Sequence, residues 1–176
     1  MGGVNGAEAL KALYALQEKD LEIDRLRAEA ESLPEELVAL QGQVETLEER
    51  LTNLLERRAE LEREYNRHSL DIEDLSAKEK QAEEEQKRAQ SAREQTQYEN
   101  RIQQIKDRIR ELLELSTPIM EAMENLEAEI AQVEEELAAL RPRLQELLEA
   151  NRARVAELEA AIAAKVEERT AMAAAI

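Results

Sequence analysis

Apolar residues recur along this chain in alternating steps of three and four. That spacing constrains the fold more than any other feature, because it lays one narrow stripe down a helix. Counted from Ile23, the series is Ile23, Leu26, Ala30, Leu33, Leu37, Leu40, Val44, Leu47, Leu51, Leu54, Arg58, Leu61, Tyr65, His68, Ile72 and Leu75, interrupted only by Arg58 and His68. A second series runs from Ile102 through Ile105, Ile109, Leu112, Ser116, Ile119, Met123, Leu126, Ile130, Val133, Leu137, Leu140 and Leu144 to Leu147, with Ser116 its polar member. Between them the count lands on Glu79, Ala82, Gln86, Ala89, Arg93 and Thr96, so the stripe vanishes before resuming in another phase at Tyr98 and Ile102.

Two seams of similar length around a polar stretch predict an all-α fold, a long antiparallel coiled-coil helical hairpin in which each seam buries the other. The expected organisation is a disordered N-terminus over 1–6 and a hairpin over 7–176, with arms 7–85 and 98–176 and a tip at about 86–97. Setting His68 opposite Ser116 makes facing residue numbers add to 184 and puts the reversal near residue 92. The same rule sets Pro142 opposite Gly42, where a missing side chain would leave room for a bend, and Ile176 opposite Glu8, just after a cap at Asn5 and Gly6. The count passes Pro34, Pro118 and Pro142 without losing phase, so the prolines are read as kinks, although Ser32-Leu33-Pro34-Glu35 also fits a capping box and a true helix break. Around Leu147, Asn151 and Val155 the spacing becomes four and four, a stutter that the rule places across from Pro34.

Composition agrees with long helices. Glu (36), Ala (28) and Leu (25) make up just over half of the 176 residues, and Phe, Trp and Cys are absent. Such a chain has little with which to fill an enzyme core. No nucleophile and base can be assembled from one His and a few hydroxyls, so no catalytic residue and no cofactor are expected. The clusters Glu83-Glu84-Glu85 and Glu134-Glu135-Glu136 read as solvated faces, since consecutive helical residues point about 100° apart and cannot converge on a cation. No run of 18 apolar residues and no basic-then-apolar leader occur, and Gly6 misses the myristoylation pattern. A cytoplasmic location with no membrane partner is the expectation.

The stretch Leu10 to Pro34, with Leu16-Gln17, Asp20, Ile23-Asp24, Leu26 and Leu33-Pro34, resembles the opening of bacterial coiled-coil proteins that carry a C-terminal zinc ribbon held by two Cys pairs. The resemblance extends more weakly to Thr96-Gln97-Tyr98 followed by Ile102 and Ile105. It implies a long antiparallel hairpin whose second arm leads into the ribbon, in a family described as nucleic-acid-binding and linked to transcription and to flagellar or secretion systems. Without cysteine the chain can take over none of the ribbon's metal ligands, and it reads as a truncated or ribbonless relative.

Charge singles out the middle. Of the net −17, the stretch 78–110 carries nine bases against seven acids, leaving the tip as the place where an anionic partner is not repelled. Lys87, Arg88, Arg93, Tyr98 and Arg101 are the candidate partner-binding residues, and the competing reading is an ordinary solvated helix end. His68 with Ser116 reads as a register-setting pair at the seam, in preference to a metal ligand, and Arg58 as a seam residue reaching Glu124 or Glu127 with its stem over the stripe. The expected function is a non-enzymatic adaptor or scaffold binding a protein through the tip or base. The alternatives are nucleic-acid binding at the tip and a self-associating, unreversed rod. Because two helices bury only one stripe, a homodimer is also an expectation.

Overall fold

The computed structural model describes residues 6–176, and the expected cap at Asn5 lies outside them. Three helices follow one another: α1 (Gly6–Glu31), α2 (Glu35–Lys87) and α3 (Ala92–Ala174). No strand occurs among the described residues. Strong helix formers fill all three, and Glu35 and Glu36 in the first turn and Lys87 in the last turn of α2 match the helix dipole. Residues 88–91 turn the chain back, so α3 runs antiparallel to its predecessors and the fold is a coiled-coil hairpin. An unreversed rod is thereby excluded.

The chain forms two compact units, Met1–Thr46 with Ala138–Ile176, and Leu47–Leu137. In the unit holding the turn, the core is Leu61 and Ala82 of α2 with Ile102, Ile105, Leu112, Ile119, Ile130, Val133 and Leu137 of α3. All but Ala82 belong to the two counted seams. Ala82 is 2% exposed, so the pairing persists beyond the apparent end of the first stripe, where a small side chain lets the helices stay close. In the other unit the core is Ile23 of α1 with Leu37, Leu40 and Val44 of α2.

The prolines behave differently from one another. α3 continues past Pro118 and Pro142, but Ser32 to Pro34 leave the helix, correcting the reading of Pro34 as a kink. A proline inside a helix costs about 3 kcal/mol. Pro118 is followed directly by the buried seam residue Ile119, and Pro142 stands between the half-buried seam residues Leu140 and Leu144, whose packing offsets that cost, while residues 31–36 are all exposed and the supposed seam member Leu33 is 52% exposed. The break is orderly. Ser32 N donates to Ala28 O, and the Pro34 carbonyl accepts the first bond of α2, from Val38 N.

Gly42 does not make room for Pro142 as expected. A Cβ built there would meet nothing within 4 Å, so the glycine serves no packing purpose.

Candidate interaction surface at the hairpin turn

The turn is closed by its own polar groups. Arg88 N donates to Glu85 O and Ala89 N to Gln86 O, ending α2 in tight turns. Ser91 then caps α3: its Oγ accepts from Glu94 N at 3.1 Å, and Glu94 Oε2 accepts from Gln90 N at 3.2 Å. Ser91-Ala-Arg-Glu94 therefore acts as a near-relative of the capping box, a spacing signal legible in the sequence that the seam count passed over. Gln86 Nε2 spans the turn to Gln95 O at 3.4 Å.

Around this framework Lys87, Arg88, Arg93 and Arg101 are exposed and Tyr98 is half-buried. None of the four cations has an ion-pair partner among the described residues. Of the five other bases in 78–110, four are paired among the described residues: Lys78 with Asp74 at 3.2 Å, Lys106 with Glu79 at 3.8 Å, Arg108 with Glu111 at 2.7 Å and Arg110 with Asp107 at 3.6 Å; exposed Lys80 is not. Of the two acids between residues 86 and 101, Glu94 and Glu99, the first is engaged as a cap. Unneutralised positive charge thus gathers at the turn on an otherwise acidic chain.

The seam interruptions find different arrangements. Arg58 donates through Nη2 to Glu127 Oε1 at 2.7 Å and through Nε to the same oxygen at 3.2 Å. The hydrogen bond to Glu127, foremost, holds the guanidinium pKa above its ordinary value. Ser116, buried, donates to Leu112 O of its own helix at 2.8 Å. His68 shares no hydrogen bond with it: Nε2 lies 4.0 Å from Glu64 Oε1, and the buried Nδ1 has no partner. The two polar groups therefore lack a mutual bond that would specify their pairing.

The other unit holds residues that the sequence reading missed. Arg154 of α3 donates to Glu29 O at 2.8 Å and to Ser32 O at 2.6 Å, and Asn151 Oδ1 accepts from its Nη2 at 3.0 Å. The guanidinium thus satisfies carbonyls that α1 would leave open at its end. The stutter at Asn151 does face the break at Pro34, as the residue count placed it. Beyond the break, Lys19 pairs with Glu168 at 2.8 Å, Lys165 with Glu22 at 3.4 Å and Arg169 with Asp20 at 2.9 Å. Each of these α3 residues lies three to five positions past the partner that a total of 184 assigns. By contrast Glu127 lies one position past the partner assigned to Arg58. Three non-helical residues advancing about 3.3 Å each, against 1.5 Å in a helix, carry α1 roughly one turn further along α3.

No helix is long and apolar enough to cross a membrane among the described residues. Nor do three or more His, Cys, Asp or Glu there gather as a metal site.

Residues 16–176 match the profile of the CT398-like coiled coil hairpin domain. A search of curated proteins finds no match. Among solved structures, a protein from Mycobacterium smegmatis is similar at a TM-score of 0.76 and 25% identity, over 95% of this chain and 70% of that one. The HP0958 protein from Helicobacter pylori is similar at a TM-score of 0.67 and 16% identity, over 93% of this chain and 69% of that one. The reversed seams and the profile that spans nearly all of them lead to one assignment: this chain belongs to the CT398-like coiled coil hairpin domain family.

Proposed function

We propose that the chain is a non-enzymatic, cytoplasmic adaptor that docks an acidic protein surface through the turn of the hairpin. The observation that carries this reading is the group Lys87, Arg88, Arg93 and Arg101, exposed and without ion-pair partners on a capped, ordered turn. A docking site gains from such a framework, because the backbone is already ordered before the partner arrives. No cofactor enters this reading, and any zinc ribbon of the kind carried by the proteins it resembles would be a separate module beside it.

The same cations support a second reading, nucleic-acid binding, with Tyr98 as the one aromatic available for stacking near the turn. Four cations flanked by acidic helices favour a protein, since phosphate binding needs a broader basic surface. The full chain and its Arg88→Glu/Arg93→Glu/Arg101→Glu variant should be compared by pull-down from cytoplasmic extract and by polarisation with labelled single- and double-stranded oligonucleotides. Salt-sensitive recovery of an acidic protein by the parent alone supports the adaptor. Oligonucleotide binding with a steep salt slope, lost in the variant, moves the assignment to nucleic acid. Partner recovery unchanged by the triple reversal removes the turn from the mechanism.

A further inference from the structure

Helix α1 carries a second apolar row that its pairing with α3 does not use. The residues covered in that pairing include Ala9, Ala12, Leu16, Ile23, Leu26 and Ala30, all half-buried or buried. At 100° per residue, Leu10, Tyr14, Gln17 and Leu21 centre about 160° round the helix from them. Leu10, Tyr14 and Leu21 are 69%, 65% and 48% exposed, and Leu13 at the edge of the row is 51% exposed. A lone exposed leucine is ordinary. A row at steps of four, three and four is a seam without a mate.

The charges beside the row select its occupant. Lys11 and Glu18 lie on one flank, exposed and without an ion-pair partner among the described residues. When a second α1 is laid antiparallel with Leu10 facing the copy's Leu21, Tyr14 faces Gln17. Two-fold symmetry then sets each Lys11 against Glu18 of the other copy. Sliding by one heptad instead opposes Lys11 to Arg25 and Glu18 to Glu18. A parallel pair sets Gln17 on Gln17, and the acid that would answer Arg25, Asp20, is already held by Arg169 at 2.9 Å.

We propose that this face of α1 is a self-recognition surface, through which two copies of the chain associate antiparallel with Leu10 and Tyr14 of each against Leu21 and Gln17 of the other. Lys11 and Glu18 close the flank. The patch is small beside a stable interface of about 1,200 Å² or more, so the association is reversible and depends on concentration. It uses neither the turn nor its cations and stands apart from the adaptor reading.

Sedimentation velocity of the full chain over a concentration series tests the proposal. The expected result is a monomer–dimer equilibrium that Leu10→Ser/Leu21→Ser converts to monomer. Lys11→Glu or Glu18→Lys alone should weaken association about tenfold, because two pairs become like-charged, and Lys11→Glu/Glu18→Lys together should restore it. The chain has no native cysteine, so a mixture of Leu10→Cys and Leu21→Cys chains should form a mixed disulfide while Leu10→Cys alone does not crosslink. A monomer at every concentration overturns the proposal and leaves the row to a different protein. A dimer that survives the serine pair, ignores the charge exchange or crosslinks through Leu10→Cys alone overturns it equally.

Discussion

Arg154 and Gly42 show how residues of similar prominence in a sequence differ in consequence. Arg154 donates to two backbone carbonyls at the end of α1 and is steadied by Asn151. Its replacement by Ala leaves those acceptors without a charged donor and should lower unfolding free energy by about 2 kcal/mol, measurable in a urea titration. Arg58, whose Glu127 partner is half-exposed at 52%, should matter less to the same measurement. Gly42 works the other way. It lies inside α2 with open space where a Cβ would be, so Gly42→Ala should raise stability by about 1 kcal/mol through helix propensity alone. A destabilised alanine variant would mean that the helix needs the glycine for a bend after all.

At the level of elements, the break between α1 and α2 belongs with the stutter in α3. The three non-helical residues 32–34 advance α1 along α3, and the stutter supplies about one turn of facing helix. Pro34→Ala would favour a continuous helix by propensity yet draw α1 back from its partners. The expected outcome is no gain in stability, with faster amide exchange over Gly6–Glu31 as the pairs of Lys19, Lys165 and Arg169 are lost. Exchange unchanged over that helix would show that its register does not depend on the break at Ser32 to Pro34. The turn at 88–91 needs no such compensation, because Ser91 and Glu94 close it with local bonds.

At the level of the whole molecule, an acidic chain of net charge −17 depends on where its few cations are placed. The hydrogen bond from Lys19 foremost holds the Glu168 carboxyl below its ordinary range, and that from Lys165 does the same for Glu22. A depressed carboxylate contributes stability that is present above its unfolded pKa and lost as pH falls through the folded value. Lys19 itself is raised, chiefly by Glu168, so its contribution is lost only as alkaline pH passes that higher value. Lys19→Met should therefore melt below the parent at neutral pH, with the gap narrowing as pH drops below the ordinary carboxylate range. A gap that stays constant with pH would assign the effect of Lys19 to its stem and not to its charge.

The all-α class, the two seams and the reversal were legible in the residues, because a three-four spacing leaves a helix one face to bury and two such faces separated by a polar stretch can cover each other. The partner of Arg58 was legible to within one turn, as Glu124 or Glu127 on the facing helix, and packing selects Glu127. The fate of the prolines was not. Pro34 breaks the helix and Pro118 and Pro142 do not, and the difference lies in whether neighbouring side chains are covered, a quantity that depends on the opposite helix. The same holds for Arg154: its side chain becomes a cap only once α3 passes the end of α1. Local spacing decides which surfaces must be buried, whereas the register beyond the break and the bonds of Arg143 to Glu36, Arg154 to Glu29 and Arg169 to Asp20 join residues more than a hundred positions apart and are decided by packing.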